Sequence, residues 1–303
     1  MKPDLKTDIG KLELKNPIMA ASGTFGSGEE FRDLVNLNKL GAIVTKSVTL
    51  NPREGNPPPR ITETPSGIIN SIGLQNDGIQ LFLENKLPFL RKIKCAVVVS
   101  IAGHSLEEYA ELSERLDSAD GVNAIEMNVS CPNAKGGLEF SREENSTFEV
   151  VSAARKKTSN TLIVKLSPNV KDIASIAKAA EEAGADAVSL INTFTAMAID
   201  IDTRRPLLGN VVGGLSGPAV KPIAVRMVWE VFKKVGIPVI GIGGIMDYKD
   251  ALEFMIAGAS AVQIGTANFV DPAATMKIIR GIEEYMSEKK IKNLKELIGC
   301  LAI

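Results

Sequence analysis

The sequence predicts an α/β fold of the (β/α)8, or TIM, barrel type, with an N-terminal β-hairpin and long insertions after the second and sixth strands. Two observations lead to this fold class. Eight short apolar segments recur along the 303 residues, and each is followed by a segment with helical periodicity. No linker or change in composition divides the chain, so we expect a single domain over residues 1–303, with its functional groups at the carboxyl ends of the strands.

A short hairpin is predicted before the first barrel strand. Leu5–Ile9 and Lys11–Lys15 alternate in polarity on either side of Gly10, and we expect this hairpin to close the bottom of the barrel. The barrel strands are short apolar runs, predicted at Pro17–Ala21, Ala42–Thr45, Ala96–Ile101, Ala124–Val129, Leu162–Leu166, Ala187–Ile191, Val239–Ile242 and Ala261–Ile264. Helices are predicted at Glu29–Leu40, Asp77–Leu90, Leu106–Leu116, Arg142–Lys157 and Asp172–Ala183, and after Pro218.

Two connections are unusually long for a compact domain. The first runs from Asn51 to Asn76, and the second follows the sixth strand and extends to about Gly214. Both lie on the strand-to-helix side, where a barrel builds its active site, and long ordered connections are often lids or binding loops. We therefore expect them to cover the substrate.

Charge and composition argue against two classes of partner. The formal net charge is -1 at pH 7 and there is no basic tract, which disfavours binding to nucleic acid or to an anionic membrane. Residues 1–14 alternate charged and apolar side chains, and no apolar run is long enough to span a membrane. We expect a cytoplasmic protein.

Cysteine and histidine usage narrows the chemistry. Cys95, Cys131 and Cys300 lie far apart with no paired spacing, so no disulfide framework, zinc site or iron–sulfur cluster is expected in this chain. His104 is the only histidine, which disfavours Ser-His-Asp catalysis and histidine-bound metals. It precedes a helix start at Ser105, so we expect it at the surface and outside the chemistry. A proton acceptor near neutral pH would then be a cysteine, a lysine or a carboxylate.

The fourth predicted strand ends in the run Asn128 to Asn133, which leads polar groups into a glycine-bearing loop. In a barrel this position makes Asn128 a strand-end ligand and Cys131 a loop nucleophile or base, the alternative being that Cys131 is a small buried hydrophobe. Lys46 ends the second strand, which favours a functional lysine over a solvated loop cation. Lys165 lies in the fifth strand, where a buried ammonium is costly unless it meets an anion or an electron-rich ring.

Neutral polar groups complete this face of the predicted barrel. Asn70, Asn128, Asn192 and Thr193 lie on three different strand-end loops. Each could be a turn or cap residue by itself, but together they are suited to hydrogen-bond a small, flat, amide-rich ring. Beside Lys46, they indicate a polar and anionic heterocycle as the ligand.

Glycine pairs after the last two strands predict a phosphate site. Gly243-Gly244 and Gly265-Thr266 can expose backbone N–H groups near a helix amino terminus, although glycine also serves in tight turns. The sequence contains neither the dinucleotide fingerprint nor a Walker motif. A mononucleotide is therefore the expected ligand.

At this point the chain resembles class 1 dihydroorotate dehydrogenases. The motifs that carry the resemblance occur in the family's order over nearly the whole chain; they are ASGTFGSG, TKSVTLNPREGNPPPRI, NSIGLQN, NVSCPN, VKLSPN, INT, GGLSGP, GIGGI and QIGTA. NSIGLQN, and TFGSG after the first strand, look more like the type 1B enzymes than the fumarate-using type 1A.

The resemblance implies an FMN enzyme, with one FMN per chain, that oxidises dihydroorotate to orotate in pyrimidine biosynthesis. It implies that Cys131 is the general base, taking a proton from ring carbon five while a hydride leaves carbon six for the flavin, and that Lys46 is the second catalytic residue. It assigns these residues to the substrate: Lys46, Asn70, Ser71, Ile72, Gly73, Leu74, Asn128, Asn192 and Thr193.

The resemblance likewise assigns a set of strand-end and loop residues to FMN: Ala21, Ser22, Lys46, Ser47, Ser100, Asn128, Lys165, Ile191, Gly217, Gly243, Gly244, Gly265 and Thr266. At the Ser100 position relatives often carry asparagine, so serine keeps a hydrogen-bonding group with a shorter reach. Lys165 would stabilise negative charge on the reduced flavin, and the late glycines would hold its phosphate.

The type 1B resemblance also implies partners. A homodimeric core would join two electron-transfer subunits, each carrying FAD and a 2Fe-2S cluster, in a heterotetramer that passes electrons to NAD. Three alternatives stay open: a fumarate-dependent type 1A enzyme, a pyrimidine reductase similar to dihydropyrimidine dehydrogenase, and a non-redox barrel that binds phosphate.

Overall fold

The computed structural model describes residues 2–129 and 140–303. Within these residues, eight parallel strands form a closed barrel. In chain order the strands are β1 (Ile18–Ala20), β2 (Ala42–Val44), β3 (Ala96–Ile101), β4 (Ala124–Asn128), β5 (Thr161–Lys165), β6 (Ala187–Leu190), β7 (Val239–Ile242) and β8 (Ala259–Ile264). Each strand pairs with the next along the chain, and β8 pairs with β1 to close the ring. The predicted fold class is confirmed.

The N-terminal hairpin closes the amino-terminal end of the barrel. Its strands, Thr7–Ile9 and Leu12–Leu14, pair antiparallel, and Ile9 and Leu14 are buried in an apolar cluster to which every barrel strand contributes at least one residue. Gly10 makes the turn with φ of 70°, and a Cβ there would lie 2.6 Å from Asp186 Cβ. The turn therefore needs glycine for both its conformation and its close approach to the barrel.

Helices surround the barrel and bury one apolar face against the strands. They are α1 (Gly78–Leu81), α2 (Leu87–Leu90), α3 (Leu106–Asp117), α4 (Glu144–Arg155), α5 (Ile173–Glu182), α6 (Lys221–Phe232), α7 (Tyr248–Ala257), α8 (Ala267–Val270) and α9 (Ala274–Glu288). A π-helical turn, Phe82–Lys86, joins α1 to α2, so the predicted helix over residues 77–90 is present with a local irregularity. None of the helices in the two described ranges has the length and apolar character needed to cross a membrane.

The helix predicted at Glu29–Leu40 is wrong. This segment contains two isolated 3-10 turns, Glu29–Phe31 and Leu37–Lys39. Asn36 between them has an extended backbone, and its side chain accepts a hydrogen bond from the N–H of Asn38. An asparagine side chain that bonds the nearby backbone competes with the helical hydrogen bonds, which explains why the apolar pattern does not produce a continuous helix.

The two long insertions meet in one antiparallel sheet. Ile61–Thr64 and Gly67–Asn70 come from the first insertion, while Phe194–Met197 and Val212–Ser216 come from the second. The insertions join where Gly67–Asn70 pairs with Val212–Ser216. Both contribute residues to the cavity at the carboxyl ends of the barrel strands, as expected of a cover.

Candidate active site

A cavity with about 1330 Å³ of empty space, part of it open to solvent, lies at the carboxyl ends of the barrel strands. Most of the site residues predicted from the sequence border it. They are Ala21, Ser22, Lys46, Ser47, Asn70, Ile72, Gly73, Leu74, Asn128, Lys165, Ile191, Asn192, Thr193, Gly217, Gly243, Gly244, Gly265 and Thr266. Folding thus brings residues from all parts of the chain to one cavity. The contacts that each would make with substrate or FMN remain predictions.

Two of the described site residues do not border the cavity. Ser71 and Ser100 are fully buried and do not border the cavity. The Oγ atoms of Ser100 and Ser47 lie 2.9 Å apart, so Ser100 supports a residue that borders the cavity. This arrangement does not show the direct cofactor contact predicted for Ser100. Cys131 lies outside the described residues.

A chain of hydrogen bonds links the polar residues at four strand ends. Asn192 Nδ2 donates to Asn128 Oδ1 at 3.1 Å, and Asn128 Nδ2 lies 3.5 Å from Ser47 Oγ, which is in turn bonded to Ser100. The Thr193 N–H donates to Asn192 Oδ1 at 2.9 Å. Since the oxygen and the nitrogen of both asparagine amides are engaged by neighbours, the network fixes the orientation of each amide at the cavity.

Backbone contacts hold the same residues in place. The Tyr109 hydroxyl, on α3, donates to the Asn128 carbonyl at 2.6 Å, and Asn169 Nδ2 donates to the Thr193 carbonyl at 3.0 Å. Asn70 Nδ2 donates to the Gly214 carbonyl at 3.3 Å, which ties the two insertions together at the cavity wall. The polar groups are therefore held by hydrogen bonds to the surrounding scaffold, as a binding site requires.

Lys46 stands at the end of β2 on the cavity wall. Its backbone N–H donates to the Gly26 carbonyl at 2.8 Å, which joins the loop after β1 to the end of β2. A Cβ added at Gly23 would lie 3.8 Å from Lys46 Nζ, so the ammonium lies beside the loop after β1. The arrangement offers a cation to an anionic ligand group at this end of the cavity.

Glycines line the part of the cavity wall that follows β7 and β8. Gly244 has φ of 72°, and a Cβ there would lie 2.7 Å from the Gly217 carbonyl oxygen, so the two loops can approach this closely because Gly244 lacks a side chain. At Gly265 an added Cβ would be 3.7 Å from Ala21 Cβ and 3.8 Å from Thr24 Cγ2, two groups of the cavity wall. The absence of a side chain at Gly265 therefore leaves open space at the cavity.

Beneath the cavity, a layer of buried polar side chains escaped prediction. Glu126 on β4 is fully buried, and its Oε2 accepts hydrogen bonds from Ser189 Oγ at 3.0 Å and Gln263 Nε2 at 2.5 Å. Glu126 Oε1 lies 3.8 Å from Lys165 Nζ. The signal for this layer was the alternation in β4 and β8, where a polar residue occupies the inward position two residues before Asn128 and Gly265.

Apolar residues of the cavity wall were also missed by the sequence predictions. Ile61, Ile68 and Leu215 come from the sheet of insertions, and Met246 and Phe269 follow β7 and β8. The Phe269 side chain is 54% exposed at the cavity edge. Their contribution depends on how the insertions fold over the barrel, which local sequence patterns do not reveal. His104, by contrast, is not among the wall residues, and it contacts Arg53 while its N–H donates to Glu108.

Comparisons with known proteins agree on one family. The family model described as dihydroorotate dehydrogenase matches residues 4–286. The chain is 56% identical over 303 residues to a protein of Geotalea daltonii named dihydroorotate dehydrogenase B (NAD(+)), catalytic subunit, covering 100% of this chain and 99% of that one. Proteins with the same name from Thermoanaerobacter pseudethanolicus and Geobacter sulfurreducens are each 57% identical, over 99% and 100% of this chain and 99% of their own lengths.

A solved structure shows that the fold is shared more widely. The crystal structure of DHODH from Eimeria tenella, in complex with ferulenol, matches with a TM-score of 0.80 at 23% identity, covering 98% of this chain and 88% of that one. At this identity the likeness supports the barrel fold alone. The family model and the full-length relatives carry the assignment further, and the chain belongs to the dihydroorotate dehydrogenase family.

Proposed function

We propose that this chain oxidises dihydroorotate to orotate in pyrimidine biosynthesis as the FMN-binding catalytic subunit of a type 1B enzyme. One observation carries the proposal: a single cavity is lined both by a lysine with a hydrogen-bonded set of amides and by the glycines that follow β7 and β8. The first set suits a small anionic ring with amide groups, and the second suits a phosphate. The names of the full-length relatives support this choice of substrate and type.

The residues present fit FMN. A side chain at Gly265 would fill space at the cavity wall, and Gly244 lets the loop after β7 lie close against Gly217; both features suit a phosphate held by backbone N–H groups. Lys165, whose side chain is only 9% exposed, borders the same cavity and can face the polar edge of a flavin ring. When bound, FMN supplies the two-electron acceptor for the hydride that leaves carbon six. We assign the FMN-binding set predicted from the sequence to this wall, with Ser100 acting through Ser47.

We assign the substrate to the amides and to Lys46, which line the same cavity. Asn70, Asn128, Asn192 and Thr193 would hydrogen-bond the ring amides, and Lys46 would face the carboxylate. Ile72, Gly73 and Leu74 border the cavity beside Asn70, whereas Ser71 points into the protein. These contacts orient the ring and keep water away from the reacting carbons.

Cys131 is proposed as the general base. Its thiolate would take the proton from carbon five as the hydride departs from carbon six, so that the ring gains a carbon–carbon double bond. The sequence places Cys131 three residues after Asn128, which borders the cavity, and this short distance along the chain supports the role. A thiolate is a far stronger base than a neutral hydroxyl near neutral pH, which explains why cysteine suits the position.

The larger assembly is also a proposal. We infer a homodimeric core joined to two electron-transfer subunits that carry FAD and a 2Fe-2S cluster and pass electrons to NAD, in the cytoplasm. The words "catalytic subunit" and "NAD(+)" in the relatives' names support such a partner. We further propose that residues 1–303 form one FMN-binding domain, supported by the family match over residues 4–286 and by pairing of Asp4 with Asn293.

The first test is the visible spectrum of the purified full-length chain without oxygen. If the proposal is right, a flavin band is present, dihydroorotate bleaches it, and uracil does not reoxidise the reduced protein. Reoxidation by uracil would assign the chain to the pyrimidine reductases, and rapid turnover with fumarate would assign it to type 1A. A chain that takes up no FMN would refute the redox function altogether.

A Cys131→Ser variant tests the proposed base. We expect it to keep FMN but to be reduced by dihydroorotate about 10²–10⁴ times more slowly, the usual contribution of a general base. Cys300→Ser is the matched control, because Cys300 is an exposed cysteine and its replacement should leave the rate unchanged. Equal reduction rates for the two variants would remove Cys131 from the mechanism.

A further inference from the structure

We propose that Glu126 is a positioning residue that holds the Lys165 ammonium at the cavity and offsets its charge, and so limits how strongly the site favours reduced FMN. The inference rests on the proposed function, because Lys165 is assigned there to FMN. It concerns a carboxylate that lies below the cavity wall and does not border it.

The surroundings of Glu126 differ from the rest of the lower barrel. The layer nearest the hairpin is apolar, and on β4 it contains Ala124, two residues before Glu126. One layer higher, four strands contribute Glu126, Lys165, Ser189 and Gln263, all at least nine-tenths buried. A polar layer this deep is costly unless its members satisfy one another, so its composition requires a reason.

The two oxygens of Glu126 face different partners. Glu126 Oε2 accepts from the hydroxyl of Ser189 and the amide of Gln263, and Oε1 lies 3.8 Å from the Lys165 ammonium. Among the described residues, Lys165 is the cation paired with this carboxylate, and Oε1 has no hydrogen-bond partner. Lys165 therefore compensates most of the negative charge of Glu126, although the two side chains are not hydrogen-bonded to each other.

This gap has a consequence for the other side of Lys165. At 3.8 Å the ammonium is attracted by Glu126 but does not use an N–H donor on it, so its donors stay available to a ligand in the cavity. Glu126 and Lys165 together carry no net charge. Reduction makes the flavin more negative. An ammonium that is paired with Glu126 would stabilise this added charge less than an unpaired lysine would.

Removing the carboxylate charge should expose the full effect of Lys165. In Glu126→Gln, which preserves the shape, we expect reduced FMN to bind at least tenfold more tightly relative to oxidised FMN than it does in the wild type. For a two-electron couple this corresponds to a rise in reduction potential of about 30 mV. Glu126→Asp keeps the charge but moves it one methylene farther from Lys165, so we expect a smaller rise in the reduction potential. If Glu126→Gln does not fold, the potential of Glu126→Asp tests the proposal.

Two further variants separate electrostatics from structure. Ser189→Ala removes a neutral donor from the same carboxylate and should change the binding ratio less than threefold. Lys165→Met should lower the ratio and destabilise the protein without FMN, and adding Glu126→Gln to it should restore stability, because a buried pair removed together costs less than one partner removed alone.

The measurement is the dissociation constant of oxidised and reduced FMN for each full-length variant, together with the midpoint potential. An unchanged ratio in Glu126→Gln, or an equal shift in Ser189→Ala, would overturn the proposal. If the wild type binds FMN and dihydroorotate bleaches its flavin band, either of these outcomes counts against the role of Glu126 and not against the proposed function. If the wild type does not bind FMN, the proposed function fails and this inference fails with it.

Discussion

Replacing Gly265 by alanine should have opposite effects on the fold and on cofactor binding. Gly265 does not have a left-handed backbone, and the new methyl group would meet Ala21 and Thr24 at 3.7 and 3.8 Å, which is ordinary van der Waals contact. A glycine-to-alanine change at such a compatible position stabilises a protein by about 0.4–1 kcal/mol, by restricting the unfolded chain. The protein without FMN should therefore be at least as stable as the wild type.

FMN binding should respond in the other direction. The methyl group would occupy space at the wall assigned to the phosphate, and overpacking of this kind costs about 1–3 kcal/mol. Since about 1.4 kcal/mol is a tenfold change, FMN should bind about 5- to 150-fold more weakly.

The assay combines urea unfolding of the protein without FMN with a titration of flavin fluorescence. Gly236→Ala is a suitable control, because its Cβ would meet Glu181 Oε1 at 3.2 Å on the exposed side of the protein, away from the cavity. This control should keep the FMN affinity of the wild type. Unchanged affinity in Gly265→Ala would refute the placement of the phosphate beside Gly265, and a loss of stability before FMN is added would refute the argument that a methyl group fits there.

Two further predictions concern stability. Burial raises the pKa of the Cys95 thiol from 9.0 to about 11, so the folded state favours the neutral thiol and stability is lost as pH rises from 9 to 11. Unfolding from pH 8 to 11 should show a loss of about 2 kcal/mol in the wild type that is absent in Cys95→Ala; the same loss in both would exclude Cys95. Asp172 caps α5 through the N–H groups of Ala174 and Ser175, and Asp172→Ala should cost about 1 kcal/mol in urea unfolding at pH 7. Hydrogen bonds, led by the one from the Ser175 N–H, lower the pKa of Asp172 below 3.8. The difference in free energy of unfolding between the wild type and Asp172→Ala should therefore persist above pH 3.8 and fade as the pH drops below it. A difference that stays constant with pH would contradict this reason.

Local pattern and composition predicted the barrel because each of its repeated units is encoded by neighbouring residues. Short apolar runs form strands and the periodic segments between them form helices, so strand ends such as Asn128 and Lys46 could be placed at the cavity before the structure was known. The same reasoning failed at residues 29–40, where the bond from the Asn38 N–H to the Asn36 side chain outweighs the apolar spacing. Here a single side-chain interaction changed the local structure.

By itself, the sequence determined the fold class, the face that carries the polar residues and the family motifs, since these depend on residues close together in the chain. Only the tertiary structure decided that Glu126 meets Ser189 and Gln263, which lie 63 and 137 positions away. It also decided that Asn70 of one insertion bonds Gly214 of the other. The physical reason is that strand register and barrel closure select which inward side chains share a layer, and no local pattern contains that information.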